Sequence, residues 1–242
     1  MSSYSFPLNP LLESVTNQIR KQAKGLKGFN PLELSPDLEN IYGELEGNKL
    51  LIINEFHQAQ GFRKIHIETG VFGSSLEILH AVFFPFSTYD LPIFGVDLVS
   101  VPTGVSAAIV DLSPVRKKLP TPITNELSKL QYPSFSKVRN LPDWGDIFSD
   151  FVQFISPKDS TENELFLNLV SEFLNILINY SASIEPDPID SSITKERYEG
   201  QLYYCKQQKR NDKTRDVLAR TFGNHWANEY IEKVLFDTPL QN

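Results

Sequence analysis

Four ionisable side chains stand where a packed strand would normally carry carbon. His66 and Glu68 fall within residues 62–68, His80 within 76–84 and Asp97 within 93–99, stretches made largely of apolar, β-branched or aromatic residues. His66 and Glu68 are two apart, so both project from one face of their strand, and His80 shares a face with Leu76, Ile78 and Val82. A lone charge in such a place costs several kcal/mol, comparable with the whole stability of a fold. The groups must therefore be paired, neutralised or wetted by a pocket. Taken singly, each suits a structural ion pair or a satisfied core histidine. Gathered on one cavity, two acids and an imidazole would titrate as a coupled set, which suits proton delivery near neutral pH. A metal held by His66, Glu68 and His80 would lack any diagnostic ligand spacing.

The elements that must position these groups read as strands followed by helices. Asn9-Pro10 opens a helix with Leu8, Leu11, Leu12, Val15 and Ile19 at helical spacing, and Gly25 stops it. Residues 41–45 and 50–53 flank Glu46-Gly47-Asn48-Lys49 as a hairpin, and strands follow at 62–68, 76–84, 93–99 and 105–112. Short links favour an antiparallel meander. Both alternating sets of residues 76–84 are largely apolar, Leu76, Ile78, Val82 and Phe84 on one side and Leu79, Ala81 and Phe83 on the other, so helices should cover the sheet above and below. After a proline-punctuated stretch at 119–142, residues 151–155 form one more strand before Pro157. Thr161-Glu162-Asn163-Glu164 has capping-box spacing for a helix striped by Leu165, Leu169, Phe173, Ile176 and Leu177. Further helices are expected at 192–210, 212–222 and 224–236, with Gly223 between the last two. The fold class is α/β: one domain over 1–242, a three-layer α/β/α sandwich with a central, mainly antiparallel sheet.

Composition removes several kinds of function. The 242 residues carry a formal charge of -7, which argues against general nucleic-acid affinity. Cys205 is the only cysteine, so no intramolecular disulfide, Cys-rich zinc site or iron–sulfur cluster on this chain's own thiolates is possible, and a redox enzyme built here must take electrons from a partner. There is no Gly-x-Gly-x-x-Gly after a strand, no Walker loop, no Gly-x-Ser-x-Gly elbow and no His-Glu-x-x-His. The start Met1 to Pro7 does not read as a signal peptide, and no run approaches the roughly 20 apolar residues of a membrane span, so a cytoplasmic location is expected.

Phe62-Arg63-Lys64-Ile65-His66-Ile67-Glu68, Leu76-Glu77-Ile78-Leu79-His80, Leu91-Pro92-Ile93-Phe94-Gly95-Val96-Asp97 and Gly104-Val105-Ser106-Ala107-Ala108-Ile109 resemble segments of the ferredoxin-dependent bilin reductases. So do Arg139-Asn140-Leu141-Pro142-Asp143-Trp144-Gly145-Asp146-Ile147-Phe148-Ser149 and Lys209-Arg210-Asn211-Asp212-Lys213-Thr214-Arg215, which extends the likeness along nearly the whole chain. The resemblance implies a monomer that reduces biliverdin IXα by four electrons, taken singly from an external 2Fe–2S ferredoxin. It also implies no flavin or metal in the enzyme, and pigment lying between the sheet and the C-terminal helices.

Carried over residue by residue, Asp97 resembles the aspartate that protonates the bilin, His80 the histidine beside its lactam oxygens and Glu68 the glutamate that donates at the D-ring vinyl. His80 and Glu68 together favour the phycocyanobilin-forming branch over siblings with other phycobilin products. Asp97 is expected to be buried, with its pKa raised, and to share a proton with the bilin or His80. His66 and Val82 are implied at the substrate, Arg139 and Lys213 at its propionates, and Asn211 and Ser106 as polar pocket groups. A helix cap or a sheet hydrogen bond would equally explain Ser106. Lys206, Lys209, Arg210 and Arg215, or Arg116, Lys117 and Lys118, are candidates for docking an acidic ferredoxin. A non-catalytic bilin carrier attached through Cys205 is the alternative from another class, although a lone helical cysteine more often only packs.

Overall fold

The first helix, α1 (Pro10–Ala23), begins where Asn9 accepts a hydrogen bond from the Leu11 amide at 3.0 Å, with Pro10 in the first turn. The computed structural model describes residues 8–45 and 47–239, so Met1 to Pro7 and the turn residue Glu46 lie outside the described residues. Two small elements absent from the sequence reading come next, β1 (Asn30–Pro31) and α2 (Pro36–Glu39). The expected meander then runs β2 (Asn40–Leu45), β3 (Asn48–Ala59), β4 (Phe62–Phe72), β5 (Leu76–Pro85), β6 (Ile93–Val101) and β7 (Gly104–Ser113).

Inside the proline-punctuated stretch the chain makes a short helix, α3 (Thr121–Leu127), because Pro122 falls in its first turn, where a missing N–H costs nothing. The last strand, β8 (Gln153–Ile155), has three residues instead of five. Helix α4 (Ser160–Ser181) is capped by Asp159, which accepts from the Glu162 amide at 3.1 Å, so the cap stands two residues before Thr161. Glu162 is turned back to accept the Lys158 amide at 2.8 Å. Helices α5 (Ser192–Gln208), α6 (Asp212–Phe222) and α7 (Asn224–Tyr230) follow, and Gly223 separates the last two with φ 86°. The final expected helix is shorter than 224–236, ending in a π turn at Ile231–Leu235.

The strands form one sheet in the order β1-β3-β4-β5-β6-β7-β8, with β2 sharing the outer edge of β3, and every pairing is antiparallel. The two-sided reading of β5 holds. Leu79, Ala81 and Phe83 enter a core with Leu12 and Ile19 of α1, Ile123 of α3 and Phe166 and Phe173 of α4. Val82 and Phe84 enter a second core with Tyr204 and Cys205 of α5, Leu218 of α6 and Tyr230 of α7. Three layers result, with α1, α3 and α4 on one face and α5 to α7 on the other. Helix α5 comes so close that a Cβ added at Gly200 would lie 1.9 Å from the Val115 carbonyl oxygen, and this approach sets Tyr204 against the sheet.

Candidate active site

Antiparallel register turns the four scattered ionisable groups into neighbours. Asn54 of β3 faces Glu68 of β4, Glu68 faces His80 of β5, and His80 faces Asp97 of β6. One polar row therefore crosses four strands beneath α7 and the π turn. Val82 and His66 form the next row, paired with each other in register. The sheet thus unites Glu68, His80, Asp97, His66 and Val82 as the sequence implied.

His80 Nδ1 and Asp97 Oδ1 are 2.5 Å apart. At the other end, Tyr230 from α7 places its hydroxyl 2.7 Å from Glu68 Oε2 and 2.9 Å from Asn54 Oδ1, while His66 Nε2 lies 2.7 Å from that same Asn54 oxygen. The His66 and His80 rings meet edge-on at 5.8 Å, and Phe236 closes over His80 at 5.7 Å. Nε2 of His80 and Nδ1 of His66 are buried with no hydrogen-bond partner among the described residues. Buried imidazole nitrogens are seldom left so, which makes these two the atoms available to a ligand.

Exposure is graded along the row. Glu68 is 3 % exposed, and the side chains of His80 and Asp97 are 13 % and 44 % exposed. The expected burial of Asp97 is thereby corrected: it stands at the open end, whereas Tyr230 of α7 covers Glu68 and Phe236 covers His80. Burial instead acts on Glu68, raising its pKa against the pull of His80. His80 is disfavoured as a cation by burial, but the Asp97 carboxylate and its hydrogen bond outweigh that and raise its pKa. His66 is depressed well below the ordinary histidine value by burial, then by Lys64 and His80, so it is neutral. Among the described residues no three His, Cys, Asp or Glu side chains are grouped to hold a metal ion.

A clamp that the sequence reading missed holds the cover down. Arg63 is an extra residue relative to both β3 and β5, and this bulge lets the consecutive Arg63 and Lys64 reach the same face. Lys64 Nζ donates to the carbonyls of Val234 at 2.9 Å and Leu235 at 3.2 Å and pairs with Asp237, which Arg63 also binds at 2.6 Å.

The other implied residues are less closely joined. Ser106 is the extra residue of a bulge on β7, and its hydroxyl donates to the Val99 carbonyl at 3.2 Å, the sheet bond weighed for it. Arg139 donates to the Ser106 carbonyl at 2.7 Å and covers the Phe154 ring at 5.1 Å. Asn211 and Lys213 start α6, outside the hydrogen bonds of the row, and Lys213 is exposed. Cys205 is buried, with its thiol pushed up to about 11 by that burial, a poor nucleophile for pigment attachment.

Residues 16–237 match the ferredoxin-dependent bilin reductases. The chain belongs to this family. It is 64 % identical over 240 residues to the phycocyanobilin:ferredoxin oxidoreductase of a Prochlorococcus marinus strain, covering 99 % of this chain and 97 % of that one. To the protein of the same name from a Synechococcus species it is 48 % identical over 232 residues, covering 96 % and 94 %. In fold the reductase resembles tomato phytochromobilin synthase, crystallised in complex with biliverdin, with a TM-score of 0.70 at 18 % identity over 93 % of this chain and 81 % of that one. No helix among the described residues of the reductase is long and apolar enough to cross a membrane.

Proposed function

We propose that this reductase converts biliverdin IXα to phycocyanobilin with four electrons from reduced 2Fe–2S ferredoxin, supplying four protons and no bound cofactor of its own. The observation that carries this is the row Glu68–His80–Asp97 on one helix-covered face, hydrogen bonded between His80 and Asp97 and graded in exposure. The pigment accepts each electron into its own conjugated system and becomes more basic, so the protein's task is to place protons. Asp97, at the wet end, passes protons from solvent and is steered by His80, whose Nε2 faces the substrate. Glu68, at the dry end, has its pKa raised by burial and delivers a later proton at the D-ring vinyl. His66 and Val82 shape the floor, Arg139 and Lys213 hold propionates, and Ser106 and Asn211 line the approach.

The family name implies an acidic electron donor, and the chain is itself acidic, so docking needs a local basic face. The end of α5 and the start of α6 supply Lys206, Lys209, Arg210 and Arg215 close together in sequence, with Lys206 and Arg210 exposed. Arg116 is engaged by Glu196 at 3.0 Å, which makes its neighbourhood the weaker candidate. The enzyme acts as a single-domain monomer in the cytoplasm.

An anaerobic assay with reduced ferredoxin and biliverdin tests the whole reading. The chain should produce phycocyanobilin, identified by absorbance, with turnover that falls as salt rises. Glu68→Gln should stop at a partly reduced bilin. Full phycocyanobilin yield from Glu68→Gln would remove Glu68 from the mechanism, and pigment bound but never reduced would make the chain a carrier.

A further inference from the structure

The orientation of one amide sets the direction of every hydrogen bond around Glu68. Asn54 Nδ2 donates to the Leu38 carbonyl at 2.7 Å, so Oδ1 is the end turned into the site. That oxygen only accepts, and it meets His66 Nε2 at 2.7 Å and the Tyr230 hydroxyl at 2.9 Å. His66 therefore carries its proton on Nε2, and Tyr230 gives its one proton to Asn54. The Tyr230 oxygen also lies 2.7 Å from Glu68 Oε2, where, with its proton already committed, it can only accept. The proton in that contact belongs to Glu68. The reverse arrangement, Tyr230 donating to a Glu68 carboxylate, would set two oxygen lone pairs against each other between Tyr230 and Asn54.

We propose that Tyr230 is a positioning residue whose hydroxyl, directed by Asn54, holds Glu68 as a neutral acid in the resting protein and swings onto the Glu68 carboxylate once its proton has been given up. The proton leaves Glu68 for the pigment, the Tyr230 O–H stays intact throughout, and only its acceptor changes from Asn54 Oδ1 to Glu68 Oε2. This rests on the reading of Glu68 as a proton donor. Around Glu68, burial and, more weakly, Asp97 on β6 favour the neutral acid; His80 on β5 opposes it, as would a hydrogen bond donated by Tyr230, which the bond to Asn54 withholds until the proton has gone; Lys64 and His66 share the strand. Burial pushes the Tyr230 phenol far above the ordinary tyrosine value, which keeps its O–H intact. Tyr230 is held for this by its ring, stacked on Trp226 at 4.8 Å.

Infrared spectroscopy of the pigment-free protein tests this without turnover. At neutral pH the wild type should show a carboxylic-acid C=O band that Glu68→Gln removes, which distinguishes it from Asp111, another buried acid. Tyr230→Phe keeps the stacked ring and should move the band to higher frequency, because the acid has lost its acceptor. A missing band, or one that Tyr230→Phe leaves in place, overturns the proposal. Should that variant fail to fold, nitrogen-15 NMR of the wild type decides: His66 must be protonated on Nε2, and an Nδ1–H tautomer overturns it. A shifted band with full turnover by Glu68→Gln would uphold the placement of Tyr230 while removing the catalytic role of Glu68. An unmoved band with stalled Glu68→Gln would do the opposite.

Discussion

Replacing Asp97 with Asn should move His80 from the most basic of the buried histidines to one that resists protonation. The two side chains meet at 2.5 Å, and His80 is raised only because Asp97 outweighs the burial that pushes it down. A hydrogen bond to a charged group contributes roughly 1.5–3 kcal/mol. Asp97 is 44 % exposed, so solvent screening argues for the lower end, about 1.5 kcal/mol, which is about one pKa unit. With Glu68 neutral, as proposed above, little remains in Asp97→Asn to offset burial. The variant's His80 should then titrate below the ordinary histidine value of about 6.5. A histidine raised by folding adds stability that is fully present below its unfolded pKa and is lost as pH climbs through the folded one. Asp97→Asn should therefore cost about 1.5 kcal/mol near pH 5.5 and almost nothing near pH 9. The chain has four histidines, so an NMR titration of wild type and variant can follow each one, with urea unfolding at the two pH values beside it. If His80 titrates alike in both proteins, the coupling on which the proton row depends does not exist.

Two further outcomes follow from buried charges outside the row. Asp237→Asn should cost about 2–3 kcal/mol in urea unfolding, because the Lys64 side chain, 6 % exposed, keeps its charge but loses its counter-ion, while Lys64→Met in the same background should recover part of that loss by removing the stranded charge. Asp111, raised to about 6 by burial despite hydrogen bonds from Ser113 and Ser149, binds a proton in the folded state that the unfolded chain has already released. The stability of the wild type relative to Asp111→Asn should therefore fall by up to about 3 kcal/mol as pH rises from 4 to 7, and a difference flat across that range would contradict it.

Much of the fold was legible because sheet physics leaves few options. Residues with a period of two and apolar side chains on both faces of residues 76–84 required two covering layers, and the same parity put His80 with Val82 and Glu68 with His66. Asn54 and Tyr230 were not legible, for different reasons. Ala59 pairs with Phe62, and a regular ladder continued from there would set Asn54 opposite Ile67, on the wrong face for Glu68; the bulge at Arg63 shifts the register by one and turns Asn54 into the site. No signal in the residues announces that bulge, although Arg63-Lys64 inside an apolar strand was an oddity that could have prompted the search. Tyr230 reaches Glu68 only through the docking of α7, and a tyrosine on an amphipathic helix carries no mark of its partner. The capping box was misplaced because Thr161/Glu164 and Asp159/Glu162 have identical spacing, and only the backbone chooses between them.

The order of groups along the row follows from what burial costs. A charge is affordable where water reaches, and Asp97 stands there; an imidazole whose charge depends on that neighbour comes next; the deepest carboxyl is placed where ionisation is most expensive, which raises its pKa. An acid that must wait through several electron transfers needs such a site, since a proton held near water would exchange with solvent long before it was wanted. His66 beyond it resists that proton, because burial, then Lys64 and His80, hold its imidazole well below the ordinary histidine value. On the proposed mechanism the row has a direction, with protons entering at Asp97 and stored at Glu68, and the clamp from Lys64 and Arg63 to Asp237 holds the cover over the far end. Loosening that clamp should accordingly harm the Glu68 step before it harms the Asp97 step.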